Sequence, residues 1–125
     1  MSRPDPRAVG AVALGGALGA VLRWSLGEVA PDGSGFPWTT FAINVSGSFL
    51  LALALGLGAV RRRPVLLAGL GSGVLGGYTT LSALAEQSRS LLADGQLATA
   101  LAYLVGTALV CVAAVAVGSR LGSRG

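Results

Sequence analysis

The sequence predicts an all-α membrane protein, one domain over residues 1–125 with four transmembrane helices. Three observations carry this. Of the 125 residues, 53% are hydrophobic and only 11% charged, with a mean hydropathy of +0.73, which leaves too little polar surface to coat a soluble globule. Crossing a hydrocarbon core takes about 20 apolar residues, and four such runs fill the chain, at about 8–26, 38–60, 64–91 and 96–118. The nine basic residues are all arginines, mostly placed beside those runs. Such placement follows the rule for cytoplasmic membrane flanks more simply than it reads as a nucleic-acid footprint.

The first run has the length of a signal peptide. Arg23 and Trp24 follow it where a small-residue cleavage region would be expected, so it reads as a retained span. Gly15 and Gly19, four residues apart, let a neighbouring helix approach closely. Residues 27–35 contain Pro31, Asp32 and Gly33, a turn that reverses the chain. The second span opens on Pro37 and Trp38, comfortable at a first helical turn and in an interfacial aromatic belt, and stops at Arg61, Arg62 and Arg63.

The third run carries Gly69, Gly71, Gly73, Gly76 and Gly77, then Thr79 and Thr80. Each glycine costs about 0.8–1 kcal/mol of helix propensity, so this is a poor continuous helix. A break at membrane depth is tolerated where protein, water or an ion satisfies the freed backbone groups, and a non-helical backbone is expected around Gly76 to Thr79, since glycine supplies unusual dihedrals. The fourth span is uncharged between Asp94 and Arg120.

Polar side chains inside a span need a reason. Asn44 is mid-span, and its amide can donate to an anion or to a neighbouring helix. Tyr103, Thr107 and Cys111 recur every four residues and form one helical stripe, extended by Thr99. The stripe reads as a polar track, against the alternative that Thr107 bonds back to its own helix. Arg23 is either a snorkelling flank or a charge drawing anions into a vestibule. Glu86 and Arg89 suit a local ion pair. Cys111 is the only cysteine and there is no histidine, so neither an intrachain disulfide nor a transition-metal site is expected. Spans one, two and four lack a mid-span carboxylate, which argues against a proton-coupled multidrug-type transporter, the main alternative for a four-span chain of this size.

Gly15-Gly16-Ala17-Leu18-Gly19-Ala20-Val21-Leu22-Arg23 resembles the GGxxGAxxR opening of the CrcB/Fluc fluoride channel family. Residues 37–49, running from Pro37 through Asn44 to Gly47, Ser48 and Phe49, are similar to the family's PxGTxxxNxxGSF, with Thr39 where glycine is usual. Residues 73–84 are similar to its GxxGGxTTFSTF. The resemblance implies a fluoride-selective channel in the cell membrane, exporting fluoride passively from the cytoplasm and relieving its toxicity. It also implies an antiparallel dual-pore dimer, a broken third helix, and a sodium ion at the dimer centre held by the backbone carbonyls of Gly76 and Thr79. Asn44, Leu81, Ser82, Leu84, Tyr103, Thr107 and Cys111 would line the anion path, and Arg23 its vestibule.

Leu81 and Leu84 replace two phenylalanines of the family pattern, Ala83 replaces a threonine, Gln87 stands where glutamate is common, and Cys111 where serine is common. Leucine lacks the electropositive ring edge an aromatic offers an anion. Four spans put Arg3, Arg7, Arg61, Arg62, Arg63, Arg120 and Arg124 on one side, which should be cytoplasmic together with both termini. So strong a bias predicts a single orientation, hence an oppositely oriented homologous subunit as partner. A non-conducting subunit of such a heterodimer is a further alternative.

Overall fold

The computed structural model describes residues 3–125 and is predominantly helical. The long helices are α1 (Pro6–Val29), α2 (Trp38–Gly56) and α7 (Leu97–Gly122). Between them lie α3 (Gly58–Arg61), α4 (Pro64–Ala68), a π-helical segment (Gly69–Leu75), α5 (Gly76–Tyr78) and α6 (Leu81–Ala93). The four membrane-crossing candidates are Pro6–Val29, Trp38–Gly56, Pro64–Ala93 and Leu97–Gly122, as the hydropathy pattern requires.

Local chemistry sets most boundaries. Asp5 caps α1 by accepting from the Arg7 backbone N–H at 2.9 Å, and Pro6 occupies the first helical position, where its missing donor costs nothing. The turn after α6 places Gly95 at φ 75°, the left-handed geometry that ends a helix at glycine. Gln96 N–H then reaches back to the Leu91 carbonyl at 2.8 Å. The second span is shorter than its hydropathy suggested. It stops at Gly56, and Leu57 turns extended (φ −68°, ψ 119°) before α3 resumes. Gly56 is pressed against Gly122 of α7, where a Cβ would meet the Gly122 Cα at 2.7 Å. The glycines flanking Leu57 weaken the helix where this contact holds it.

Packing follows the glycines. α1 lies on the π-helical segment and α5, and α2 lies on α7. Gly15 and Gly19 do provide the close approach, and their neighbour is the third span: a side chain at Gly15 would strike the Gly69 carbonyl, and one at Gly19 the Val74 carbonyl. With little hydrophobic drive between helices in lipid, such backbone proximity is the means by which spans associate.

The α2–α7 seam also brings the chain ends together. Gly122 meets Gly56, and Gly125 sits beside Leu57. The start of α1, the Arg61–Arg63 turn and the C-terminus thus share one end of the bundle. The 30–37 loop and the α6–α7 turn share the other, where Gln96 Nε2 donates to the Ser34 carbonyl at 2.9 Å. Among the described residues the buried apolar cluster is small, Leu91, Ala100 and Tyr103 with Phe36, Phe41 and Leu84 packed on it. Large apolar side chains such as Leu14, Leu18, Leu109 and Val112 face outward, as lipid-facing or partner-facing helices require.

Candidate functional site

The third span is broken at the far end of the Gly76–Thr79 stretch expected to be non-helical. Gly76 itself is helical (φ −65°, ψ −38°), and the expectation is corrected there. The break falls at Thr79 (φ −77°, ψ 155°) and Thr80 (φ −146°, ψ 116°), both extended. The glycines instead accommodate the wider π-helical turn and the contact with α1. Gly77 faces the Gly16 backbone, with no room for a side chain.

Asn44 holds the break open. Its Oδ1 accepts from the Thr80 backbone N–H at 2.8 Å, and its Nδ2 donates to the Thr80 carbonyl at 3.0 Å. The side-chain amide thus pairs with one residue of extended backbone as a neighbouring strand would. Asn44 is buried on α2, and both of the freed Thr80 groups would otherwise be costly at membrane depth. Of the two alternatives raised by the sequence, the bond to a neighbouring span is made, and one Nδ2 hydrogen remains after the clamp. Thr80 Oγ1 then caps α6 by accepting from the Ala83 N–H at 3.1 Å.

Because the Thr80 N–H turns to Asn44, the Gly76 carbonyl loses the partner it would have in an unbroken helix. The Gly77 carbonyl accepts from Arg23 Nε at 3.3 Å. Arg23 therefore does more than flank α1: it binds the end of α5 and lines a cavity of about 370 Å³ with Asp32, Thr39, Thr40, Thr80 and Gln87. Thr80, at the break, lines the same cavity.

The stripe on α7 is split in chemical state. Tyr103 is fully buried, and its hydroxyl donates to Gln87 Oε1 at 2.6 Å. Thr107, one turn on, is buried, and its hydroxyl has no hydrogen-bond partner. The back-bond to its own helix does not form. A buried hydroxyl left alone costs about 1–3 kcal/mol, so this one is available to something not of the chain. Cys111 is half-buried and unpaired.

The remaining expected path residues do not converge in the single chain. Leu84 packs into the small core with Tyr103. Leu81, by contrast, is 77% exposed on the outside of α6. Ser82 is also exposed, its hydroxyl 3.1 Å from that of Thr80. Glu86 and Arg89 form the expected exposed ion pair at 2.6 Å.

One group went unread in the sequence. Asp32 caps the start of α2, its Oδ1 accepting from the Thr39 N–H at 2.8 Å and its Oδ2 from the Thr40 N–H at 3.1 Å. The same Oδ2 accepts from Thr40 Oγ1 at 2.6 Å and from Gln87 Nε2 at 3.1 Å. The signal available was an aspartate shortly before a helix start, an ordinary capping pattern. No group of three or more potential metal-ligating His, Cys, Asp or Glu side chains occurs among the described residues.

The chain is similar to known proteins over most of its length. The family profile described as CrcB-like protein, Camphor Resistance (CrcB), matches residues 10–119. A Thermus thermophilus protein named fluoride-specific ion channel FluC is 43% identical over 116 residues, 89% of this chain and 91% of that protein. A Streptomyces coelicolor protein named fluoride-specific ion channel FluC 1 is 46% identical over 121 residues, 90% of this chain and 75% of that one. A Shewanella halifaxensis protein with the FluC name is 41% identical over 113 residues, covering 88% and 91%.

Proposed function

The chain belongs to the CrcB family, and from that premise we infer that it is a subunit of a fluoride-specific ion channel in a membrane it crosses four times. Permeation requires no catalysis. Fluoride that accumulates in the cytoplasm leaves down its electrochemical gradient, which relieves its toxicity. The observation within this chain that best supports an ion path is the buried, unpartnered Thr107 hydroxyl, one turn from Tyr103 on the α7 stripe. A donor that meets no protein acceptor is suited to a dehydrating anion.

The path we propose begins at Arg23, whose positive charge concentrates anions in the cavity above the break. It continues past the free hydrogen of Asn44 and the hydroxyls of Ser82 and Thr107 to Cys111, with Leu81 and Leu84 as its apolar wall. The outward position of Leu81 supports completion of the path by a second chain. So does the Gly76 carbonyl, released at an exposed residue, since a bare carbonyl facing lipid is costly. Hard carbonyl oxygens of Gly76 and Thr79 fit a hard cation such as sodium at the contact between two chains, where the ion would satisfy groups the break has freed.

The dimer we propose is antiparallel. Arg7, Arg61, Arg62, Arg63, Arg120 and Arg124 lie at one end of the bundle, and that end, with both termini, is assigned to the cytoplasm. The charge bias favours an oppositely oriented homologous subunit as the partner. A multidrug-type transporter is not favoured, as no carboxylate lies mid-span on α1, α2 or α7. The test is fluoride efflux from liposomes carrying the purified chain, alone and with an oppositely oriented homologue, with chloride as control. Fluoride-selective efflux in either preparation supports the channel; its absence in both would overturn it.

A further inference from the structure

The hydrogen bonds around Gln87 have a direction. A carboxylate can only accept, so the Gln87 amide must turn Nε2 toward Asp32 Oδ2, 3.1 Å away. Thr40 Oγ1 is spent as a donor on the same Oδ2 at 2.6 Å, which leaves it an acceptor toward Gln87 Nε2 at 3.0 Å. Both neighbours on that side therefore demand the N–H end of the amide. Oε1 must then face Tyr103, whose hydroxyl has one proton and gives it to that oxygen at 2.6 Å. Oδ2 and Thr40 Oγ1, 2.6 Å apart, share one N–H of Nε2, and the three protons engaged in this group all point toward Asp32 or toward an oxygen oriented by it.

We propose that Asp32 is a positioning residue that fixes the polarity of the Asp32–Thr40–Gln87–Tyr103 chain, committing the Tyr103 proton to Gln87 and leaving only its lone pairs for the ion path. Anion contact on the α7 stripe then passes from Tyr103 to Thr107, whose proton is unclaimed. The loop before α2 thereby selects which hydroxyl of the stripe serves as a donor. This goes beyond the cap that Asp32 also forms, because capping uses only the backbone N–H groups of Thr39 and Thr40. It rests on the channel reading for its meaning, but not for its test.

The C–O stretch of a tyrosine distinguishes a hydroxyl that donates from one that accepts. Ring-labelled protein gives the Tyr103 band by infrared difference against Tyr103→Phe, which removes the contribution of Tyr78. The unsubstituted protein should show a single donor band. In Asp32→Asn the amide of Gln87 can reverse, and in Asp32→Ala the freed Thr40 hydroxyl can donate to it, so in either variant the single band should be lost to an acceptor or mixed signal. Thr40→Val keeps Asp32 against Gln87 Nε2 and should leave the band unchanged. An unchanged donor band in a folded Asp32 variant overturns the proposal. Loss of helix content in both Asp32 variants would reduce Asp32 to a helix cap and overturns it equally. Fluoride efflux measured on the same preparations tests the channel reading separately.

Discussion

Asn44 and Thr80, thirty-six positions apart, bind each other through two hydrogen bonds, 2.8 and 3.0 Å long, that replace the helical bonds lost at the break. Replacing Asn44 by alanine strands the Thr80 N–H and carbonyl together. The cost should be about 1–3 kcal/mol for the unpaired donor alone, read as a lower melting temperature in detergent, with fluoride efflux strongly reduced. Asn44→Asp should be no better, because a carboxylate repels the Thr80 carbonyl. Unchanged stability in both variants would show that the clamp does not hold the break.

Thr107 offers a test in which stability and transport separate. Thr107→Val keeps the shape and removes a buried hydroxyl that has no protein partner, so stability should hold or rise by about 1 kcal/mol. Fluoride efflux should nevertheless fall several-fold. If efflux and thermal stability both stay at the unsubstituted level, the hydroxyl is not part of the path.

The contact between α1 and the third span is backbone against backbone. Gly19→Ala would drive a methyl into the Val74 carbonyl, and Gly77→Ala into that of Gly16. Neither neighbour is a flexible side-chain end, so each substitution should cost about 1–3 kcal/mol or more. Gly10→Ala, which meets nothing within 4 Å, is the matched control. Thermal unfolding in detergent should rank the three accordingly.

Orientation is checked with a C-terminal tag and a membrane-impermeant label. The unsubstituted chain expressed alone should be labelled from one side only. Changing Arg61, Arg62 and Arg63 to glutamine should yield both orientations. Two-sided labelling of the unsubstituted chain, or robust efflux from it alone, would mean an ordinary dual-orientation homodimer.

The four spans were legible because hydrophobic run length is nearly all that a lipid environment demands of a helix. The break was legible in kind, from five glycines and two threonines, and its expected stretch, Gly76 to Thr79, reached Thr79 but extended too far into the glycines. Glycine marks both weak helix and close packing, and at Gly77 it serves packing, while the extended residues are threonines, of which Thr80 is held from outside by Asn44. Asp32 went unread because its cap partners are local, whereas Gln87 lies fifty-five residues away. Thr107 was legible as a stripe member by spacing alone. That its hydroxyl stands alone is a fact of three dimensions.

The third span also bears on how the chain enters the bilayer. It occupies Pro64–Ala93, 30 residues, but its helical halves on either side of Thr79 and Thr80 are each well short of the roughly 20 residues a crossing needs. Neither half is a competent insertion signal by itself, and the junction between them exposes peptide groups that hydrocarbon cannot solvate. The Thr80 N–H and carbonyl are covered by Asn44 of α2, and the first half is seated on α1, both synthesised earlier. The order of synthesis therefore suits the structure: the first two spans supply a docking surface before the discontinuous one arrives.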